Sequence, residues 1–520
     1  MSDGSDAVMN DLVLLGAVLP VDTERRFLER GAVYVHDGLI EAVQDEAAAP
    51  PSGFGSASTL RVRTGSLITP GLIDLHNHLA YNTLPLWVGR ESAYTTRYQW
   101  PGAATYQRDV SNPAQALGIA APAAALRFAE VKAVVGGVTA IQGSPPMTRA
   151  FPGWMVRNIE KEAAGGTNRP IFQSVLPASA DQLATTAHRL AAGRSFIYHL
   201  SEGTAPTLRG EFEDLRAAEC VHPGLIGIHS TALAADDFRE WESRGGGAIV
   251  WSPFSNLWLY GGTADVMAAR SAGIRVCLGS DWTPSGTRNV LGELKVAAEW
   301  NGHALGGVLS DADIVEMATA NPGDALAHPW GVPAGRLVPG ALADIAAFIR
   351  VDDDPWTSVL TTTERQVRLV IVGGRPAYGS RSLLAAAGAT DIEPITVAGV
   401  RRGIVMHLDD ELLPDEPDIR SEATKSWADG LSELAEVWQD PATAVRRARR
   451  RRAAGGTPLE FVPDLPPMGQ DSTRALDDEE LDALVMPRFD SITHDAGWRR
   501  TVRRTAPAHA PVLVDALARF

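Results

Sequence analysis

Cysteine and lysine are scarce in this chain of 520 residues. The two cysteines, Cys220 and Cys277, exclude a disulfide framework, and their separation fits no thiolate metal site. Only Lys132, Lys161, Lys295 and Lys425 are lysine, so nearly all of the 47 basic residues are arginine. No apolar run approaches the ~18–20 residues that a bilayer span requires. The first ten residues are polar and acidic, so no secretory signal is expected. A net charge of −16 argues against a general nucleic-acid binder. A reducing cytoplasm is the expected compartment. The expected partner is a small-molecule substrate rather than nucleic acid or membrane, with a homo-oligomer left open.

The rest of the composition is that of a folded protein, with 45% apolar and 21% charged residues. Residues 11–66 read as short strands with turns, including Leu12–Val18, Gly31–His36 and Leu60–Val62. From Leu67 the pattern changes to apolar strands alternating with amphipathic helices, as in a parallel sheet with covering helices. Strands are expected at Leu72–His76, Val138–Gln142, Pro170–Val175, Phe196–Leu200, Leu225–His229, Ala248–Trp251 and Arg275–Gly279. The helices between them include Ala116–Val135 and Trp154–Ala164. Seven strands are one short of a closed eight-stranded barrel, and the eighth should fall between Gln142 and Phe196.

Strand character returns after Asn321-Pro322, at Gly335–Val338, Ala343–Phe348, Val367–Val372 and Thr396–Leu408. The fold class is therefore α/β. A (β/α)8 TIM-like barrel over 67–334 is inserted in a small β-sandwich domain made of 11–66 and 335–408. A mainly helical extension over 409–520 follows. It opens on an acidic stretch, then a long helix Ser421–Arg452 ending in an arginine run from Arg446, a proline-rich connector Pro458 to Pro467, and an acidic helix Asp477–Leu484.

Chemistry concentrates where the expected strands end. His76 and His78 close the apolar run at i and i+2, so both imidazoles project from one face of a strand. Two converging imidazoles make a half-site for Zn²⁺ or Fe²⁺. His199 with Glu202, His229, and Asp281 after Gly279-Ser280 end three further strands. In a parallel barrel all strand C-termini share one face, so these six groups should meet around a metal. Each alone has an ordinary explanation, such as a helix cap or a surface histidine; six on one face do not.

This order of elements resembles the amidohydrolase superfamily of metal-dependent hydrolases. The resemblance lies in Thr69-Pro70-Gly71-Leu72-Ile73-Asp74 before His76-Asn77-His78, the later single histidines, Gly279-Ser280-Asp281, and Gly340-Ala341-Leu342-Ala343-Asp344-Ile345 in the returning β segment. It covers about residues 11–408. It implies one divalent metal or two, the two-metal members using a carbamylated lysine from a central strand. None of the four lysines ends an expected strand, and His199-Leu200-Ser201-Glu202 resembles the cytosine deaminase and triazine hydrolase branch, which uses one. By that resemblance the ligands are His76, His78, His199 and Asp281, with zinc the first choice and Fe²⁺ the second. Three imidazoles and a carboxylate leave a position for water, whose pKa the metal lowers towards ~7. Glu202 would shuttle protons, His229 would orient the nucleophile or polarise the electrophilic carbon, and Asp281 could accept the water's proton. Ligation of a second metal is the other role open to His229.

The implied activity is hydrolysis of a C–N bond other than a peptide bond, as a deaminase or amidohydrolase. A binuclear cyclic amidase and a non-catalytic binding or scaffold protein are the two rivals. The loop after the first barrel strand carries Tyr81, Trp87, Tyr94, Tyr98, Trp100 and Tyr106, and later loops add Phe254, Trp258, Tyr260 and Trp282. Aromatic walls suit a flat substrate, with Trp87, Trp282 and Gln142 as candidate lining residues, although these rings could equally pack the loops themselves.

Overall fold

The computed structural model describes residues 11–520 apart from 56–58, 90–92, 152–153, 162–170, 176–177, 407–419, 423, 455–457 and 468–474. The flanking segments join in one nine-stranded sheet. β1 (Leu12–Val18), β2 (Leu28–His36), β3 (Leu39–Asp45) and β4 (Leu60–Pro70) come from the N-terminal side. β4 runs past residue 66 as far as Pro70 and pairs antiparallel with the returning segment Ile345–Phe348, Pro70 opposite Ile345 and Leu67 opposite Phe348. The chain thus leaves this sheet at Pro70 and re-enters it beside the same strand. Leu14, Val33, Ile68, Leu369 and Ile371 form its core.

Between those points the described residues form eight parallel strands: β5 (Leu72–Asp74), β6 (Val138–Ile141), β7 (Arg157–Asn158), β8 (Ile171–Ser174), β9 (Ser195–Leu200), β10 (Leu225–His229), β11 (Ala248–Trp251) and β12 (Arg275–Leu278). They form a three-stranded arc, β5-β6-β7, and a five-stranded arc, β8 to β12. Their residues are mostly buried on both faces, as expected of parallel strands covered by helices. At the C-terminal end β5 and β12 close on each other: Leu75 N donates to Leu278 O, and Asp281 N to His76 O at 2.9 Å. The expected barrel is present. Its eighth strand is β7, inside the expected window.

Several local expectations are corrected. No helix occupies 154–161; Glu130, buried under this stretch, instead accepts the Met155 and Val156 amides at 2.5 and 2.9 Å and leads the chain into β7. The remainder of that expected helix lies outside the described residues, as does the acidic stretch 409–418. The helix over Ala116–Val135 is broken at Ala121, before Pro122 opens a new one (Pro122–Val135). The long extension helix is two, Trp427–Gln439 and Pro441–Ala453, because Asp440 caps the second and Pro441 cannot continue the first. Thr396–Leu408 contains a turn, so that Glu393–Val397 and Val400–Ile404 pair as a hairpin. Gly335–Val338 is not a strand.

The later strands of the flanking sheet are β13 (Ile345–Phe348), β14 (Val367–Val372), β15 (Arg375–Gly379), β16 (Glu393–Val397) and β17 (Val400–Ile404). The extension packs helix Trp427–Gln439 against Pro122–Val135, with Phe128 stacked on Trp427. Its arginine run is engaged within the extension: Arg446 pairs with Asp482, Arg447 with Glu436 and Arg452 with Glu460. Among the described residues no helix is long and apolar enough to cross a membrane.

Candidate metal centre

Backbone geometry at the strand ends aims the side chains inward. Ser201, His229, Ser230 and Asp281 all adopt φ between 51° and 64°, a left-handed region that costs non-glycine residues of the order of 1 kcal/mol or more. Four such residues at the ends of β9, β10 and β12 mark a place where side-chain direction outweighs backbone comfort. Gly143, after β6, has φ +105°, and a Cβ there would stand 1.8 Å from Asn77 O. The chain after β6 therefore lies directly against the His76-Asn77-His78 segment.

All six expected residues come together. The His76 ring centroid lies 5.0 Å from His78, 4.8 Å from His199 and 5.0 Å from His229. His76 Nε2 is 3.2 Å from Asp281 Oδ1, His78 Nε2 is 3.7 Å from the same oxygen, and His229 Nε2 is 3.9 Å from Oδ2. Glu202 Oε1 is 3.6 Å from His229 Nε2. Every one of the six is buried.

For three of the four imidazoles the outer nitrogen explains the direction of the inner one; His199 Nδ1 has no hydrogen-bond partner among the described residues. His76 Nδ1 faces Gln142 Oε1 at 3.3 Å, His78 Nδ1 faces Asp464 Oδ2 at 2.9 Å, and His229 Nδ1 faces Asn256 Oδ1 at 2.8 Å. Acceptors at Nδ1 place the proton there and turn the Nε2 lone pair towards the cluster. His78 Nε2 and His199 Nε2 lie 3.2 Å apart, within hydrogen-bonding distance of each other. His76 Nε2 has no hydrogen-bond partner among the described residues. Nitrogen and carboxylate donors converging this way fit a divalent cation such as Zn²⁺. The triads His76–His78–His199, His76–His229–Asp281 and His199–Glu202–His229 each hold their donor atoms within 4.8 Å.

Electrostatics agree. Burial opposes ionisation of Asp281, but His76, His229 and His78 outweigh it and hold the carboxyl well below its ordinary range. Burial, then its histidine neighbours, push the His199 pKa well down. His78 moves the other way: against burial, Asp464, Asp281 and Glu202 lift it to about 9. Protons are thus unevenly shared in a cluster whose charge a cation would balance.

The supporting residues were only partly visible in the sequence. Gln142 faces the cluster, but its carboxamide is engaged by His76 Nδ1, Asn77 N and Glu160. Trp282 stands edge-on to His78 at 6.3 Å, with Tyr81 and Trp100 against it. Trp87 sits further out, stacked on Tyr94 with its edge to Tyr106. Glu202 receives the Tyr260 hydroxyl at 2.5 Å, and Tyr260 in turn receives Trp100 Nε1. Arg97 donates to Val175 O. Arg90, which with Arg97 is the sequence's candidate for pairing with a substrate carboxylate, lies outside the described residues. Asp464 is the contribution sequence reading missed, a lone aspartate in a proline-rich connector with no pattern around it.

No lysine joins the cluster. Lys132 pairs with Asp490, Lys295 donates to Thr362 O and Lys425 pairs with Glu433. Lys161 follows β7 in a turn rather than a helix, and β8 is Ile-Phe-Gln-Ser.

Residues 137–377, which hold His199, Glu202, His229 and Asp281, match the model of the amidohydrolase family. That match takes in 241 of the 520 residues and most of the barrel. The chain is 24% identical over 399 residues to a 5'-deoxyadenosine deaminase of Methanothermobacter thermautotrophicus, covering 67% of this chain and 89% of that one. It is also 24% identical over 417 residues to a 5-methylthioadenosine/S-adenosylhomocysteine deaminase of Desulfitobacterium hafniense, covering 72% and 95%. An adenosine deaminase from Xanthomonas campestris with bound zinc shares the fold at 20% identity, with TM-score 0.57, over 73% of this chain and 97% of that one. E. coli guanine deaminase does so at 16% identity, TM-score 0.55, over 71% and 99%. About a quarter of this chain therefore lies outside the part these structures cover.

Proposed function

We propose that this chain is a mononuclear metal-dependent hydrolase that deaminates an amino-substituted heterocycle, with purine nucleosides of the adenosine type as the first class to test. The observation that carries the reading is the convergence of His76, His78, His199 and Asp281 on one point, with Glu202 and His229 beside them. Relatives matched over most of their length are deaminases by name, which favours loss of ammonia over amide opening. The four lysines are all committed elsewhere or distant from the cluster, which favours one metal over a lysine-bridged pair.

His76, His78, His199 and Asp281 would hold the metal. When bound, it supplies Lewis-acid activation of water near neutral pH. Glu202 takes a proton from the attacking water and passes it to the heterocycle's nitrogen, as general base and then acid. Tyr260 keeps that carboxylate oriented through its hydroxyl. His229, fixed by Asn256, donates or accepts a hydrogen bond at the attacking oxygen. The carbon gains a C–O bond and loses its C–N bond: the first water proton, carried by Glu202, ends on the ring nitrogen, and Asp281, kept ionised by its neighbours, takes the second and passes it to the amino group, which leaves as ammonia.

The test is ammonia release from a panel of adenosine analogues, aminopurines, aminopyrimidines and aminotriazines by the zinc-loaded protein. Glu202→Gln should lower kcat on any substrate found by about 10²–10⁴ without changing metal content. An unaltered kcat in that variant would remove Glu202 from the chemistry. Amide or ring opening without ammonia would replace deamination by the other hydrolytic reading.

A further inference from the structure

The C-terminal extension reaches the metal centre. Residues 460–465 are sewn onto the barrel's loops: Thr148 N donates to Glu460 O at 3.0 Å, Phe461 N to Gly118 O at 3.1 Å, and Val462 N to Pro146 O at 2.9 Å. Leu465 N donates to Tyr81 Oη at 2.9 Å, and the Tyr106 hydroxyl donates to Leu465 O at 2.5 Å. Between these anchors stands Asp464. Its Oδ2 meets His78 Nδ1 at 2.9 Å across 386 positions of sequence. The side chain is 8% exposed, and among the described residues its other oxygen, Oδ1, has no hydrogen-bond partner. A buried carboxylate with one oxygen unpaired is a costly way to fasten a loop. Backbone bonds on both sides already fasten it.

We infer that Asp464 is a positioning residue for the metal ligand His78, so that the extension, and not the barrel alone, completes the metal centre. This rests on the metal-site reading above. The carboxylate holds the His78 proton on Nδ1, fixes the ring's rotation and makes Nε2 a better donor. Gln142 and Asn256 do the corresponding work for His76 and His229 from within the barrel, through neutral carboxamides. Of these three rings, His78 is the one whose Nδ1 meets a carboxylate, and that carboxylate comes from outside the barrel.

The test measures zinc affinity of the full chain, stripped with a chelator and titrated with zinc against a chromophoric competitor. Asp464→Ala should bind zinc about 10- to 100-fold more weakly. Asp464→Asn keeps an acceptor oxygen without the charge and should fall between wild type and Asp464→Ala, and it serves if the alanine variant does not fold. Thr148→Val removes a side chain that accepts the Glu460 amide without touching His78, and should leave zinc affinity unchanged. Wild-type affinity in both Asp464 variants would overturn the inference. So would an equal loss in Thr148→Val, which would make the effect one of loop packing. A wild-type chain that binds no zinc would instead overturn the metal site itself.

Discussion

Tyr260 places its hydroxyl hydrogen on Glu202 Oε1 at 2.5 Å, joining the helix after β11 to the loop after β9 in the wall of the metal cluster. Trp100, from the long loop after β5, donates to the same phenol oxygen at 3.0 Å. Three barrel loops thus fix one carboxylate. Tyr260→Phe removes a hydrogen bond to a charged acceptor, worth about 1.5–3 kcal/mol. The expected result is a roughly tenfold to hundredfold lower kcat with zinc content unchanged, read from steady-state kinetics and metal analysis of the same sample. A change in KM alone would mean that Tyr260 serves substrate binding and not Glu202.

The contact between Gly143 and Asn77 yields a stability prediction. Gly143→Ala would add strain of about 1–3 kcal/mol for its left-handed backbone, and its Cβ would meet Asn77 O at 1.8 Å unless the His76-Asn77-His78 segment moves. Denaturant unfolding should show a clear loss of stability, and zinc binding should weaken with it. Wild-type values for both would show that this close approach does not shape the site.

Asp490, also from the extension, pairs with Lys132 and Arg288 in a fully buried cluster. Burial pushes the Lys132 pKa down to about 7 against the pull of Asp490. Lys132 also donates to Asn82 O at 2.7 Å, and Asn82 Nδ2 to Asn77 Oδ1 at 2.7 Å, so this clamp leads back to the metal-binding segment. Asp490→Ala leaves two buried cations without their counter-charge and should destabilise the chain by about 3–5 kcal/mol, measured by urea unfolding. A loss under 1 kcal/mol, the scale of an exposed pair, would contradict the burial assigned to it.

Glu293 gives a pH signature. Burial, assisted by the charges of Asp74 and Asp281, raises its pKa from 4.5 to about 8 despite hydrogen bonds from Phe254 N and Thr287. The folded chain then binds a proton that the unfolded chain has lost between pH 4.5 and about 8. This group's contribution to stability is complete below the lower value and disappears as pH rises through the upper one. Glu293→Gln cannot ionise. Its melting temperature should vary less with pH across that window and should exceed that of wild type above pH 8. Equal slopes would place the ionisation elsewhere.

How much could be read from sequence follows from how local each signal is. His76 and His78 share one strand end, and His199, His229 and Asp281 each close an apolar run, so pattern and barrel topology suffice to bring them together. β7 is only Arg157–Asn158, too short and too polar to show as a strand. The apolar residues Trp154, Met155, Val156 and Ile159 beside it mimic a helix face, and what straightens them is Glu130, a buried carboxylate from an earlier helix. Asp464 and Asp490 act through contacts hundreds of positions away, with no periodicity or motif to announce them.

Metal stoichiometry tests the central claim most directly. The purified full chain, loaded with zinc and freed of excess, should hold one zinc per chain by elemental analysis. His76→Ala and His199→Ala should each lose it while keeping the wild-type circular dichroism spectrum. Two tightly held ions per chain would contradict the mononuclear account and favour a binuclear amidase. None in wild type would contradict the metal centre altogether.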